Sequence, residues 1–253
     1  RPEELNQQLE SSNADVAPEL HTPLANLIGM VEVELARPRS AQELGDALLS
    51  ALEEARRMSD IVADMLFLTR ADRGAVARRS APLSLAAQVR TVVEFHEAML
   101  ESAGQHVQVL GDAQVAADAG LVRRAVSNLL ANACRHPDGA SAISIAIERQ
   151  ADAVWVRVAN RGEPIAPDVL VHLFERFFRA ERSRTDSSHH HGLGLAIVAA
   201  IARMHGGQTH ASSAAGVTTV GFSLAVPREE GCCAVLRIQC ARRDQNGCDD
   251  RIE

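Results

Sequence analysis

Between Ser40 and Arg70 apolar residues recur at the three-and-four spacing of a helix: Leu44, Leu48, Leu49, Leu52, Ala55, Met58, Ile61, Val62, Met65 and Leu66. That stripe is too broad for one partner helix to cover. A second helical pattern precedes it, from about Glu4 to Leu35, with Leu20, Leu24, Leu27, Ile28, Val31 and Leu35 on its apolar face. The turn Arg37-Pro38-Arg39-Ser40 separates the two. Ser40 with Glu43 three residues on has the form of a capping box, which fixes where the second helix starts. Two helices in a hairpin leave much of these faces uncovered, whereas two hairpins packed as a four-helix bundle bury them. A homodimer through residues 1–70 follows from the pattern.

The pattern changes after a polar stretch containing Gly and Pro, ADRGAVARRSAPL, which reads as a hinge over 71–83. Residues 86–103 and 118–134 have helical spacing, with Asp118 placed as an N-cap. HVQVL at 106–110, AQVA at 113–116, AISIAIE at 142–148, VWVRVA at 154–159 and 217–226 read as strands, and 193–204 as a helix. The class is α+β: a helical hairpin dimerising into a four-helix bundle, then an α/β sandwich over 84–227 with helices on one face of a mixed sheet. Residues 228–253 lose all periodicity and are expected to be an unstructured tail. Its cysteines (232, 233, 240 and 248) lack the paired spacing of a zinc site.

Composition narrows the function. At 46% hydrophobic and 23% charged the chain is globular. A net charge of −7 argues against a nucleic-acid surface. All basic residues are Arg, which excludes phosphate-binding loops and kinase folds that place Lys against a nucleotide. The sequence has no stretch long and apolar enough to cross a bilayer. It begins with Arg1 and reads as the soluble C-terminal part of something longer.

Four short patterns carry chemistry. Asn128 and Asn132 fall at i and i+4, on one helix face, followed by Arg135 and His136. An Asn oxygen is a hard neutral ligand suited to Mg²⁺, and two buried Asn bonded to backbone would give the same spacing. Asn160-Arg-Gly162-Glu-Pro-Ile165 closes a strand, as an ordinary turn also would. Leu173-Phe174-Glu-Arg-Phe177-Phe178-Arg179 follows. His189-His-His191-Gly192-Leu-Gly194-Leu195 enters a helix through glycines, which suits phosphate binding at the helix N-terminus. Gly216-Val-Thr218-Thr219 is a weaker fifth element.

Taken in this order, after ELHTPL at 19–24, these patterns resemble bacterial two-component sensor histidine kinases over about residues 5–227. The Asn pair resembles the N box, Asn160–Ile165 the first glycine box, Phe174–Phe178 the F box, and Gly192–Leu195 the second glycine box. PLANLIG, the RPRS turn and DMLFLTRAD look most like the heavy-metal-responsive branch. The resemblance implies ATP and Mg²⁺ as cofactors, with Asn132 the Mg²⁺ ligand and Asn128 its support. Arg135 and His136 would lie near the phosphates, and Asn160, Gly162, Ile165, Gly192, Gly194, Leu195 and Thr219 would bind nucleotide. It further implies phosphoryl transfer from ATP to histidine and on to a response regulator. The full-length protein would sit on the cytoplasmic side of the bacterial inner membrane, attached to the membrane only through an N-terminal region missing here.

The centre of the phosphoacceptor box departs from the family. Pro18 stands where the phosphorylated histidine stands, and His21 where an arginine stands. Glu19, the expected base, and Thr22 are kept. Proline has no nucleophile and lacks the backbone N–H a helix interior needs. His21 is the alternative acceptor, but three residues on it is rotated by about 60° from the lost position. The alternative function is an autophosphorylation-deficient dimeric nucleotide-binding module, or a response-regulator phosphatase in which Glu19 and Thr22 position a water.

Overall fold

Alternation of branched apolar residues with polar ones builds the sheet that carries the second half of the molecule. The computed structural model describes residues 20–135, 142–179 and 191–226. Pro18, Glu19, His136, His189, His190 and the tail 228–253 lie outside the described residues, as does the start of the first helix.

The hairpin consists of α1, over 20–35, and α2, Ala41–Asp72. The capping box is present in both directions: the Glu43 amide donates to Ser40 Oγ at 3.2 Å, and the Ser40 amide donates to Glu43 Oε2 at 2.7 Å. The Ser40 amide, joined by Ser40 Oγ donating to the same carboxylate oxygen at 2.8 Å, holds the Glu43 pKa below its ordinary value. Pro23 is buried, and Leu20 packs against the core. Much of the apolar stripe is uncovered in the single chain: Leu48 is 70% exposed, Leu49 61% and Leu66 56%.

Five strands form the main sheet in the order β2-β4-β5-β7-β6: β2 (His106–Leu110), β4 (Ala142–Gln150), β5 (Ala153–Arg161), β7 (Val217–Ala225) and β6 (Thr209–Ala214). β2 and β4 are parallel, and the other neighbours antiparallel. A two-stranded ribbon pairs β1 (Leu83–Ser84) with β3 (Gln114–Val115). Ile143, Ile145 and Ile147, then Val154, Val156 and Val158, then Val220, Phe222 and Leu224 fill one face. Helices α3 (Leu85–Phe95), α5 (Ala119–Arg135) and α7 (Gly194–Met204) contribute to the same core. Each such side chain, fully buried, supplies about 1.5–3 kcal/mol of transfer free energy. Short α4 (Glu97–Ser102) and α6 (Pro167–Leu170) complete the elements.

Three local differences from the sequence reading have physical causes. The helix expected over 86–103 breaks at His96, where the ring Nε2 lies 2.7 Å from Ser127 Oγ on α5. Strand β6 is polar (THASSA) and is held as an edge by β7, so no apolar alternation announces it. The stretch 71–83 is tied down: Ala71 and Asp72 finish α2, the Ala77 amide donates to Met204 O at 2.9 Å, and Ser80 Oγ donates to Ala117 O at 2.7 Å.

His205 fastens the end of α7 to the start of α5. Its side chain is 2% exposed. Nδ1 lies 2.8 Å from Ile201 O, and Nε2 accepts the Asp118 amide at 3.2 Å. An Nε2 that accepts carries no proton, so the ring is neutral with its hydrogen on Nδ1. Asp118 in turn caps α5, its Oδ1 accepting from Leu121 N at 3.0 Å. Burial lowers the His205 pKa, with Arg79 adding to the effect and the Ile201 carbonyl and Asp118 opposing it. A depressed folded pKa means that the unfolded chain binds the proton more tightly. The stability this site contributes is therefore full above pH 6.5, the ordinary histidine value, and falls as pH drops below it. Denaturant unfolding across pH 5–8 is expected to show that loss in the parent and a flatter profile in His205→Gln. Equal slopes in the two would refute the assignment.

Candidate functional site

The topology brings five chain segments to one end of the sheet. Helix α5 runs toward β4, and its C-terminal half carries Asn128 and Asn132. Helix α7 runs the opposite way, since its C-terminal end meets Asp118 at the start of α5 and its N-terminal Gly194 meets Asn128. Strand β5 ends at Asn160 and Arg161 on the same side, and the β6–β7 hairpin turns there.

Asn128 and Asn132 are both half-buried. The Asn128 amide donates through Nδ2 to Arg124 O at 3.1 Å, which turns its Oδ1 toward Gly194. A Cβ on Gly194 would lie 3.1 Å from that oxygen, so the side chain and the α7 backbone are already as close as packing permits. The N-terminus of α7 has no side-chain cap. First-turn amides with the positive end of a helix dipole behind them suit an anion. Leu195 sits in that first turn and packs on the core. Arg135 is the last residue of α5.

Gly192 joins this turn to the Phe segment. It has φ +69, and its carbonyl accepts from Phe177 N at 3.1 Å. A Cβ there would lie 2.7 Å from Phe177 C, a backbone overlap that no side-chain motion relieves. Phe177 itself has φ 60. The two boxes are therefore locked backbone to backbone. Phe174 and Phe177 also pack against the core.

On the sheet, Asn160 pairs with Thr218, and Thr218 with Ser213. Cross-strand partners share a face, so the three form a polar row across β5, β7 and β6. The next row on that face is Val158, Val220 and Ala211. Asn160 is 9% exposed and Thr218 6%. Nδ2 of Asn160 donates to Arg161 O at 3.3 Å. The loop after β5 is held twice: Gly162 N donates to Gly216 O at 3.0 Å, and Ile165 N donates to Ser213 Oγ at 3.0 Å. Thr219 stands on the other face, opposite Ala159 and Ser212. Sequence reasoning included Thr218 in the motif Gly216–Thr219 but singled out its neighbour Thr219, and it passed over Ser213. Counting two residues along β7 from Val220 points to Thr218, whereas Ser213 needed the register of a strand that was not foreseen.

His21 and Thr22 lie on α1 of the hairpin, both exposed. Among the described residues no group of three or more His, Cys, Asp or Glu is placed to hold a metal. Metal binding near the nucleotide segments would thus rest on neutral oxygens such as that of Asn132, which suits a Mg²⁺ that takes the rest of its shell from phosphate and water.

A His Kinase A (phospho-acceptor) domain model matches residues 8–74, and a histidine kinase-, DNA gyrase B- and HSP90-like ATPase model matches residues 117–230. The chain belongs to the sensor histidine kinases. It is 43% identical over 202 residues to the sensor histidine kinase CusS of Escherichia coli O157:H7, an alignment covering 79% of this chain and 42% of CusS. It is 38% identical over 246 residues to the sensor protein CzcS of Cupriavidus metallidurans, covering 97% of this chain and 51% of CzcS. The chain thus spans about half the length, or less, of these relatives. The structure of histidine kinase ThkA in complex with response regulator protein TrrA has the same fold, with a TM-score of 0.70, 20% identity, and coverage of 91% of this chain and 66% of that one.

In this histidine-kinase core the ATPase domain leans on the C-terminal part of α2. Arg124 donates to Asp64 Oδ1 at 2.5 Å, and its guanidinium lies 4.3 Å from the Phe67 ring centroid. Burial raises the Asp64 pKa, and Arg124 opposes the rise. Farther along, Asp72 pairs with Arg176 and, at 3.4 Å, with Arg203. Arg124 lies one turn before Asn128, so the helix that bears the Asn pair is also the one docked on the hairpin. No helix among the described residues is long and apolar enough to cross a membrane.

Proposed function

We propose that this chain is the catalytic core of a two-component sensor kinase, binding Mg-ATP between α5, the end of β5, the β6–β7 hairpin and the N-terminus of α7. The observation that carries this reading is the meeting of Asn128 with Gly194 under an uncapped helix N-terminus. Bound there, ATP supplies the transferable γ-phosphoryl group, and Mg²⁺ neutralises its charge. The chain's own parts then divide the work. The first amides of α7 hold phosphate oxygens, Asn132 supplies a metal ligand, and Arg135 and His136 add polar groups near the phosphates. Asn160 accepts from the adenine amino group, with Gly162 and Ile165 shaping the base's surroundings.

The uncovered stripe on α1 and α2 supports a homodimer that forms a four-helix bundle. A response-regulator receiver domain is the partner that the phosphoacceptor hairpin implies, as in the ThkA–TrrA complex. In the whole protein this core would face the cytoplasm at the inner membrane.

Calorimetry with Asn132→Asp tests the site. A carboxylate there adds a charge beside the phosphates and changes the ligand the metal meets. Mg-ATP affinity is expected to fall about tenfold or more, the scale of one lost metal or hydrogen-bond contact. Unchanged affinity would remove Asn132 from the site.

A further inference from the structure

One carboxylate at the end of the hairpin stands between two arginines of the ATPase domain. Asp72 is the last residue of α2. Its Oδ2 accepts from Arg176, and its Oδ1 accepts from Arg203 at 3.4 Å. Arg176 belongs to the Phe segment and directly precedes Phe177, whose amide donates to Gly192 O at 3.1 Å. Arg203 lies in the last turn of α7, the helix whose first residue is Gly194. The two arginines therefore stand on the two segments that Gly192 joins. Neither pair is strong by itself, because the Asp72 side chain is 44% exposed and that of Arg203 61%, and exposed ion pairs contribute little. Their consequence comes from sharing one carboxylate. Take it away and two guanidinium groups face each other with nothing between them, and like charges that close repel.

We infer that Asp72 is a positioning residue that makes nucleotide affinity depend on the hairpin. With the hairpin docked, Asp72 clamps Arg176 to Arg203 and so holds the Phe segment against α7, with the turn at Gly192 formed. With the end of α2 withdrawn, the two arginines repel, the Phe segment parts from α7, and the first amides of α7 lose their fixed placement. This inference rests on the nucleotide reading above and adds a control to it. Helix α2 runs unbroken from Ala41 to Asp72 and carries the stripe that the proposed dimer covers, so a shift in the bundle reaches Asp72 without crossing a joint. By linkage, bound Mg-ATP favours the docked hairpin by the same factor.

The sign of one substitution tests the clamp. Asp72→Asn removes a negative charge from the surroundings of an anionic ligand, so Coulomb attraction alone would leave Mg-ATP bound as tightly or more tightly. Loss of the clamp predicts the opposite. Titration calorimetry on the whole chain is expected to show affinity falling about three- to fivefold, the scale of partly exposed ion pairs. Without nucleotide, the Phe177 amide should exchange its hydrogen faster in Asp72→Asn than in the parent. Asp72→Glu keeps the carboxylate and should hold both values near the parent's. Asp60→Asn, which removes an exposed carboxylate farther back on α2, should not weaken binding. In a chain carrying Arg176→Gln and Arg203→Gln no repulsion remains, and adding Asp72→Asn should lower affinity no further. If Asp72→Asn binds Mg-ATP as tightly as the parent, or weakens binding equally in the double-glutamine chain, the clamp has no part in the site and the inference is overturned. A parent that does not bind Mg-ATP overturns the nucleotide reading itself, and this inference with it.

Discussion

Replacing Pro18 by His together with His21 by Arg is expected to raise ATP-dependent labelling of the chain on the order of a hundredfold or more. The argument is local. Around Pro18 the scaffold of a phosphoacceptor box is kept: Glu19 as the base, Thr22, Pro23 and the hairpin behind them. Pro23 is buried and Leu20 packs on the core, so the described part of α1 is anchored at these residues. What is lacking at position 18 is a nucleophile. A proline inside a helix also costs roughly 3 kcal/mol, through the lost amide and the clash of its ring. The double substitution supplies the first and removes the second. The measurement is retention of radiolabel that is acid-labile and base-stable. The parent should label weakly, and His21→Ala in the parent should change nothing. A parent that labels well and is silenced by His21→Ala would make His21 the acceptor and reverse this reading.

The same contrast between local and long-range information explains what could be read before the structure. The hairpin was legible because everything that specifies it is short-range. Ser40 and Glu43 cap each other across three residues, and the stripe from Leu44 to Leu66 repeats every turn. Strands β4 and β5 were legible because both alternate, and Asp118 because a capping carboxylate precedes an apolar helix. The break at His96 was not, and the partner that the ring meets there, Ser127, is thirty-one residues away. Nor was the anchoring of 71–83, whose partners Ala117 and Met204 are far along the chain. In the site, Asn128 and Gly194 meet, and Asn160 and Gly216 lie at the same end of the sheet, because loops at strand and helix ends follow from the order of elements. The row Asn160–Thr218–Ser213 required the register of three strands. A slip of one residue along β7 exchanges its two faces, which is the difference between Thr218 and Thr219.

Gly192→Ala is expected to cut nucleotide affinity at least about tenfold and to leave the hairpin and the proposed dimer intact. Two costs meet at this position. An L-residue at φ +69 pays about 1–2 kcal/mol for the left-handed conformation alone. The added methyl would also stand 2.7 Å from Phe177 C and 2.8 Å from Phe177 Cα. Neither atom can swing aside, because the Phe177 amide is bonded to the Gly192 carbonyl and Phe177 is itself at φ 60. The two segments must separate, and the turn that presents the first amides of α7 moves with them. Gly74→Ala is the matched control. Gly74 has φ +80 with nothing within 4 Å of an added Cβ, so it pays the conformational cost without the overlap. It lies just past α2 and is not itself part of the nucleotide segments. Titration calorimetry with Mg-ATP and thermal unfolding of both variants separate the two effects. Gly74→Ala should lower stability slightly and bind nucleotide as the parent does, whereas Gly192→Ala should lose binding beyond what its stability change explains. If Gly192→Ala bound Mg-ATP like the parent, the backbone lock between Gly192 and Phe177 would have no part in forming the site.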